Sequence, residues 1–284
     1  MIMRVIEKII GNIRDLPTLP TVYLALSDVM ADPRSTAQDI SQIVSSDPAS
    51  SSRVLRLANS VLYGFPGQID TISRAVVVLG FDEVRNLVLA TSVLDLFSKQ
   101  DSAFDFRPVD FWAHSIGVGI ATRLIGQACR LANVENLFVA GILHDIGKLV
   151  FFEFAEKEFT QALDQANKCQ QSLWEAELEI LGMDHSQGGG LLVENWNLSP
   201  AIQKAICGHH AGLIGEPPDP LVAAVHIADT LVRALELGFG GDDLIPRPNE
   251  QAWEVLGLPP NTLTEMTPHI LQQFEEATII MGLH

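Results

Sequence analysis

Apolar side chains recur every three or four residues along most of this chain, which is the spacing of one face of an amphipathic helix. Val22, Leu26 and Val29 form the first such stripe after two prolines, and the helix is predicted to end near Asp32 and Pro33. Apolar and polar residues rarely alternate over the length of a strand. The pattern therefore predicts an all-α fold.

Helix-start residues divide the rest of the first hundred positions. Ser35 or Thr36 is a candidate cap for a short helix. Asp47 followed by Pro48 is typical of another helix start, and Asp82 is predicted to cap a longer helix. The apolar stripes predict four helices here, with Ile40, Ile43 and Val44; Val54, Leu55, Ala58 and Val61; Ile72, Val76 and Leu79; and Val84, Leu87, Val88 and Leu94.

A mostly polar segment at residues 97–110 is predicted to separate two helical domains, 1–105 and 106–284. In the second domain, Gly, Pro and Asn residues separate predicted helices at 110–129, 135–152, 156–168, 172–181, 186–195, 199–208 and 219–237. Residues 238–262 are predicted to form an irregular connection with at most a short helix, and residues 263–282 to form a last helix.

Composition narrows the class of protein. Lys and Arg total 18 against 35 Asp and Glu, which gives a formal net charge of −17 in 284 residues. This charge repels nucleic-acid backbones and anionic lipid, so neither nucleic acid nor membrane is an expected partner. The three cysteines show no CxxC spacing, and no run approaches the roughly 20 apolar residues that span a bilayer. We therefore expect a soluble cytoplasmic protein with reduced thiols.

The segment LFVAGILHDIGKLVFFEF, residues 137–154, interrupts an apolar run with ionisable side chains. His144, Asp145 and Lys148 would destabilise the protein strongly if they were buried there without partners. If the segment is one helix, His144 and Asp145 lean into one cavity and Lys148 returns to the same face. These residues must therefore be paired, metal-bound or catalytic.

Further histidines and an aspartate repeat this theme of a polar side chain on or beside an apolar helix. Taken singly, each has a plain explanation as a hydrogen-bonded core residue. Taken together, imidazole and carboxylate groups suit divalent Fe, Mn, Ni, Co or Zn, and the set exceeds what one ion holds. A bridging carboxylate would let them hold two ions about 3.5–4 Å apart, an arrangement suited to phosphate-ester hydrolysis. The predicted metal ligands are His114, His144, Asp145, His185, His209, His210 and Asp229.

Asp145 and Lys148 are also the candidate catalytic residues. Lys148 either holds a phosphate or shields a developing charge, or forms only a structural salt bridge to Asp145. Asp110 is a candidate ligand for a further ion or a helix cap, and His226 is either an outer support for the ligands or an ordinary core or surface residue. Cys207 is a weak ligand candidate, because its only signal is a C-x-H spacing.

The order of His114, the His144–Asp145 pair and Asp229 resembles the H…HD…D motif of the HD superfamily of metal-dependent phosphohydrolases. The three later histidines resemble the extra ligands of its HD-GYP branch, which hydrolyses cyclic di-GMP at a two- or three-metal centre. After His210 the chain reads AGLIGEPPDP and lacks Gly-Tyr-Pro. That substrate is therefore not carried over.

Three segments of the first half resemble the HDOD domain, a bacterial signalling and regulatory output module. They are LPTLP at 16–20, SSDPASSSRVLRLANSVLYG at 45–64 and ISRAVVVLGFDEVRNLVL at 72–89. With the HD half, the resemblance covers most of 12–232, and it implies an N-terminal helical bundle packed on an HD-type bundle.

The HDOD resemblance implies a regulatory module in bacterial signal transduction. HDOD members often lack some HD ligands, whereas this chain keeps all of those named above. The alternative is therefore an active metal-dependent phosphohydrolase or phosphodiesterase acting on a nucleotide or cyclic dinucleotide. The expected partners are signalling proteins or a small phosphorylated ligand.

Overall fold

A computed structural model describes residues 6–7, 9–11, 18–97, 107–132 and 135–283. Within these ranges the regular secondary structure is helical and no strand occurs, so the predicted all-α fold is confirmed. The helices are α1 (Thr21–Met30), α2 (Ala37–Ser45), α3 (Pro48–Ala58), α4 (Ile72–Leu79), α5 (Phe81–Phe97), α6 (Pro108–Ala128), α7 (Glu135–Leu143), α8 (Gly147–Cys169), α9 (Leu173–Ile180), α10 (His185–Asn195), α11 (Pro200–Gly208), α12 (Pro220–Ala234), α13 (Glu250–Leu256) and α14 (Thr262–Met281).

The chain packs as two compact units. One comprises Thr18–Lys99 with Met266–His284, and the other comprises Met1–Pro17 with Gln100–Glu265. Residues 266–284 therefore group with the first half of the chain. The predicted boundary between 105 and 106 lies outside the described residues, and the division into domains 1–105 and 106–284 stays a prediction.

In the first unit, side-chain caps set several helix starts. The Thr36 hydroxyl accepts a hydrogen bond from the Asp39 N–H, and the Asp39 carboxylate accepts from the Thr36 N–H, which forms a capping box at α2. Asp47 caps α3 by accepting from the Ala49 N–H at 3.1 Å. These caps agree with the predicted starts.

Two details of the predicted first unit differ from the structure. α5 begins at Phe81, so Asp82 lies in its first turn, where it pairs with Arg85 at 2.9 Å, and does not cap it. α3 ends at Ala58, and Val61, predicted to lie on its apolar stripe, follows the helix and is 41% exposed. Val61 instead donates its N–H to Glu276, from α14.

The second unit is built around α6, which is buried along most of its length and packs against α7 and α12. Caps again position the neighbouring elements. Asp184 accepts from the Gln187 N–H at 2.9 Å and so starts α10 at His185, and Asp219 starts α12 by accepting from the Leu221 N–H at 3.0 Å. These starts bring polar side chains to the inner side of a bundle that is otherwise apolar.

The predicted helix at 135–152 breaks where the polar residues begin. α7 ends at Leu143, and a turn over 144–146 leads into α8, with the Ile146 N–H bonded to the Leu143 carbonyl and the Lys148 N–H bonded to the Asp145 carbonyl. These are bonds between residues three apart, as in a tight turn. The predicted helices 135–152 and 156–168 leave a break at 153–155. In the structure this break is only a kink at Ala155 within α8 (φ −142°, ψ 36°).

Among the described residues, no helix combines the length and the hydropathy needed to cross a membrane.

Candidate metal centre

The seven predicted ligands come from five separate places in the second unit. α6 carries His114, the turn between α7 and α8 carries His144 and Asp145, and α10 starts at His185. The remaining three follow α11 or lie on α12, and they are His209, His210 and Asp229. Six of the seven are buried, and His210 is partly exposed.

The structure brings these side chains together. Three groups each have candidate ligand atoms within 4.8 Å of one another: His185 with His209 and His210; His114 with His144 and Asp229; and His144 with Asp145 and His209. The groups share members, so they form one continuous cluster. The cluster is therefore large enough for more than one ion.

Asp145 lies between the two ends of the cluster. Its Oδ2 is 3.3 Å from His144 Nε2 and 3.8 Å from His114 Nε2, whereas its Oδ1 is 3.0 Å from His185 Nε2 and 3.5 Å from His209 Nε2. One carboxylate oxygen thus faces each group of histidines. This is the position that a carboxylate bridging two ions would take.

The facing atoms are close but do not hydrogen-bond to one another. The Nε2 atoms of all five histidines and Oδ1 of Asp145 are buried without a hydrogen-bond partner. His114 Nε2 is only 3.1 Å from Asp229 Oδ1, so it is alignment and not distance that is missing. Buried polar atoms without partners are costly, and a metal ion that binds them is one recognised way to satisfy them.

The Nδ1 atoms of His144 and His209 are hydrogen-bonded to backbone carbonyls. His144 Nδ1 donates to the Gly141 carbonyl at 2.7 Å, and His209 Nδ1 donates to the Ile206 carbonyl at 2.7 Å. Because a carbonyl oxygen only accepts, each Nδ1 must carry the proton, and the neutral ring then presents the Nε2 lone pair. This outer hydrogen bond is usual for metal-binding histidines. The donor set therefore fits a divalent metal.

Charges within the cluster separate the histidines by pKa. Burial lowers the pKa of His144, but the carboxylates of Asp145 and Asp229 outweigh burial and raise it to about 9. Burial lowers the pKa of His209 to about 4 and holds the pKa of His210 well below its usual range. Without metal at neutral pH, His144 is therefore protonated, and the rings of His209 and His210 are neutral.

Two cations flank the cluster, and only one of them was predicted. Lys148 Nζ donates to Asp145 Oδ2 and to the Gly240 carbonyl, each at 2.5 Å, so the structural salt bridge exists. Arg233, one turn after Asp229 on α12, donates to Asp229 Oδ1 at 3.1 Å. Both cations are at least nine-tenths buried. A phosphate-binding role for Lys148 stays a prediction.

Glu177 was also missed. Its buried carboxylate accepts from His185 Nδ1 at 2.6 Å and from the His185 N–H at 2.8 Å. The signal in the sequence was weak, because a charged residue in an amphipathic helix is usually taken as surface. Glu177 fixes the orientation of His185 toward the cluster.

The weaker candidates lie elsewhere. The Asp110 carboxylate pairs with Arg107 at 3.3 Å and belongs to none of the ligand groups found in the described residues. His226 donates from Nδ1 to the His209 carbonyl and accepts from the Asn249 N–H on Nε2, so it supports the chain behind a ligand. Cys207 is exposed.

A family model for the HDOD domain matches residues 16–212, more than half of the chain. The chain belongs to the HDOD domain family. This HDOD protein is 27% identical over 98% of its length to a crystallised HDOD domain protein from Geobacter sulfurreducens, with 99% of that chain covered and a TM-score of 0.77.

Two other relatives extend the comparison. A crystallised candidate phosphohydrolase from Shewanella amazonensis SB2B is 27% identical, with 96% of this chain and 98% of that one covered and a TM-score of 0.75. An uncharacterized protein from Treponema pallidum (strain Nichols) is 27% identical over 244 residues, which cover 84% of this chain and 46% of that protein. The HDOD protein thus spans about half the length of that curated relative.

Glu177→Gln is expected to weaken divalent-metal binding by about 10–100-fold, the usual range for a partner that orients a histidine ligand. The amide keeps the size of the side chain but loses the charge that holds His185 through both of its N–H groups. Competition with a chelating indicator measures the affinity. Glu179→Gln, on the exposed side of the same helix, is the matched control and should bind metal like the wild type. Equal affinities for the two variants would contradict the orienting role.

Proposed function

We propose that this HDOD protein is a signalling module whose HD-type unit holds two divalent metal ions and uses them to sense a small phosphorylated ligand. The observation that supports the proposal most is one cluster of five buried Nε2 atoms without hydrogen-bond partners, four of which face the Asp145 carboxylate. The likeness to HDOD proteins supports the regulatory role. Signalling proteins in the cytoplasm are the partners that this role requires.

The proposed ligands divide between two ions. His114, His144 and Asp229 would hold one, and the other three histidines would hold the second, with Asp145 between them. Nitrogen and oxygen donors suit Fe, Mn, Ni, Co or Zn. Bound ions would supply positive charge for a phosphate group and would lower the pKa of bound water.

The second candidate function is phosphohydrolysis. It is favoured by the full ligand set and by the buried Lys148 beside Asp145, and a relative of similar fold is named as a candidate phosphohydrolase. In that role the Lys148 ammonium would neutralise charge on the phosphoryl oxygens, and Asp145 would hold both ions.

Metal analysis and activity assays test the two functions separately. Protein purified without chelator is expected to contain about two divalent ions per chain, the number that a bridged carboxylate site holds. The sensing role predicts phosphate or nucleotide binding without turnover. Hydrolysis of a cyclic dinucleotide, a nucleoside phosphate or a generic diester would favour the enzyme instead. If the purified protein contains no metal and takes up none on reconstitution, both functions are contradicted.

Metal binding at pH 7 is expected to release at least about one proton per protein, because ligands must be deprotonated and His144 has a pKa of about 9 in the metal-free state. Burial lowers the pKa of His185, but the Glu177 and Asp145 carboxylates outweigh burial and raise the pKa of this ring as well. Protons compete with the metal at the His144 ring, so raising the pH toward 9 should strengthen binding. Isothermal titration calorimetry in buffers of different ionisation enthalpy counts the protons. Heats that do not depend on the buffer would show that no ligand loses a proton.

A further inference from the structure

The segment after α12 lies over the cluster. We call residues 238–244 the cover segment. Gly238 has a positive φ of 72°, and a Cβ at this position would lie 2.2 Å from the backbone nitrogen of His114. Only glycine permits this close approach. Phe239 then donates its N–H to the Asp110 carbonyl at 3.0 Å, which ties the segment to the start of α6.

The middle of the cover segment reaches the ligand atoms themselves. A Cβ built on Gly240 would lie 3.3 Å from His114 Nε2, the nitrogen that faces the cluster. The cavity that remains between the segment and the histidines has a volume of about 40 Å³. That volume holds a few water molecules but not a nucleotide. A nucleotide therefore does not fit beside the histidines while the segment is in place.

The cover segment also accepts hydrogen bonds from both buried cations, Lys148 and Arg233. Lys148 donates to the Gly240 carbonyl at 2.5 Å, and Arg233 donates to Asp242 Oδ1 at 2.9 Å and to the Leu244 carbonyl at 3.3 Å. Each cation thus binds one predicted ligand carboxylate, and Lys148 binds one acceptor of the segment whereas Arg233 binds two. An ammonium and a guanidinium held beside a metal centre are the groups that bind phosphate oxygens in many proteins.

Among these contacts of the segment, the one between Asp242 and Arg233 is an ion pair. The Asp242 carboxylate is 6% exposed, and it accepts from Arg233 on Oδ1 and from the Leu173 N–H on Oδ2 at 3.0 Å. Its neighbour Asp243 is exposed. Two adjacent aspartates in one segment therefore differ in burial and in contact with the centre.

We infer that the cover segment is an internal competitor for a phosphate-bearing ligand. The Gly240 carbonyl and the Asp242 carboxylate occupy the donors of Lys148 and Arg233, and a phosphate group binds them only when the segment is displaced. The phosphate class of the ligand rests on the proposed function, and the competition rests on the contacts above. The segment keeps the centre closed until the ligand is present.

Asp242→Asn tests the competition, with Asp243→Asn as the matched control. Removing the competing charge raises the fraction of protein in the open state, so inorganic phosphate should bind the Asp242 variant about tenfold more tightly than the wild type. The Asp243 variant should bind phosphate like the wild type. Isothermal titration calorimetry with phosphate is done on each protein, both metal-free and after loading with Mn²⁺. Equal phosphate affinities in the two folded variants, or no phosphate binding by any of the three proteins, would overturn the inference.

A measurement on the wild type does not depend on how the variants fold. Hydrogen exchange at the Phe239 amide should become faster when phosphate binds, because its bond to the Asp110 carbonyl, which ties the segment to α6, opens. Bound phosphate with unchanged or slower exchange in the cover segment would overturn the inference.

Metal analysis of the same samples separates this inference from the proposed function. Metal present, with no effect of Asp242→Asn on phosphate binding, contradicts only the competition. Metal absent, with the expected effect of Asp242→Asn, contradicts only the metal centre.

Discussion

Asp145→Asn is expected to lower the divalent-metal affinity by more than about 100-fold, beyond the loss caused by removing an outer partner of a ligand. Asp145 is the residue whose two oxygens face both groups of histidines, at 3.0–3.8 Å from four Nε2 atoms. The amide keeps the shape but has one oxygen, so it cannot bridge two ions. Elemental analysis after gel filtration, and indicator competition at lower metal, measure the loss.

The same substitution should destabilise the metal-free protein by about 3–5 kcal/mol, the cost of leaving a buried charge without its partner. The charge left behind is that of Lys148, whose side chain is fully buried and bonded to Asp145. Urea denaturation of metal-free protein measures this cost. The double variant Asp145→Asn, Lys148→Met should recover part of the lost stability, because the second substitution removes the cation that has no partner. It should recover none of the lost metal affinity.

Asp164→Asn is a suitable control, since Asp164 is 65% exposed and pairs with Lys168 on the surface. It should change neither metal content nor unfolding. Wild-type metal affinity in the Asp145 variant would mean that Asp145 does not hold the ions.

The candidate ligands could be predicted from the sequence because their chemistry stands out against an apolar background. His144 and Asp145 interrupt a run that is otherwise suited to a core, and ionisable groups there need partners. His185 and the pair after α11 repeat the theme. Because ionisable side chains on apolar helices must meet when the helices pack, the sequence was enough to predict that these residues come together. It was not enough to predict which histidine faces which oxygen of Asp145, because that depends on how the helices pack.

The turn at 144–146 could not be predicted, because the residues around it suit a helix. Apolar residues continue at helical spacing on both sides, so local propensity favours one helix over 135–152. At the break, α8 is in close backbone contact with α10, which is distant in sequence and which a local pattern cannot show. Local pattern therefore predicted which residues meet but gave the wrong backbone for their meeting.

The outer residues were missed for a related reason. Glu177, Arg233 and Asp242 are charged residues that a helical pattern or a polar loop normally places at the surface. Their burial is visible only once α9, α12 and the cover segment lie beside the cluster. The position of a charged residue in the chain does not show whether its side chain has a buried partner or is solvated.

Gly147→Ala is expected to destabilise the protein by about 3 kcal/mol or more, at or above the upper end of the usual range for overpacking. A Cβ on Gly147 would lie 1.9 Å from the His185 carbonyl oxygen and 2.5 Å from the Gly189 nitrogen. Both are backbone atoms of α10, so no side-chain rotation relieves the clash, and the helices must move apart. Urea denaturation of metal-free protein measures the change.

Moving α10 away from α8 would also carry His185 away from Asp145, so the Gly147 variant should lose metal affinity together with stability. Gly11→Ala is the control, because no heavy atom of the described residues lies within 4 Å of a Cβ there, and alanine favours a helix. Wild-type stability in the Gly147 variant would show that α8 and α10 are not in backbone contact. Wild-type metal affinity in a destabilised variant would instead show that His185 does not depend on this contact, and that Glu177 alone suffices to hold the ring.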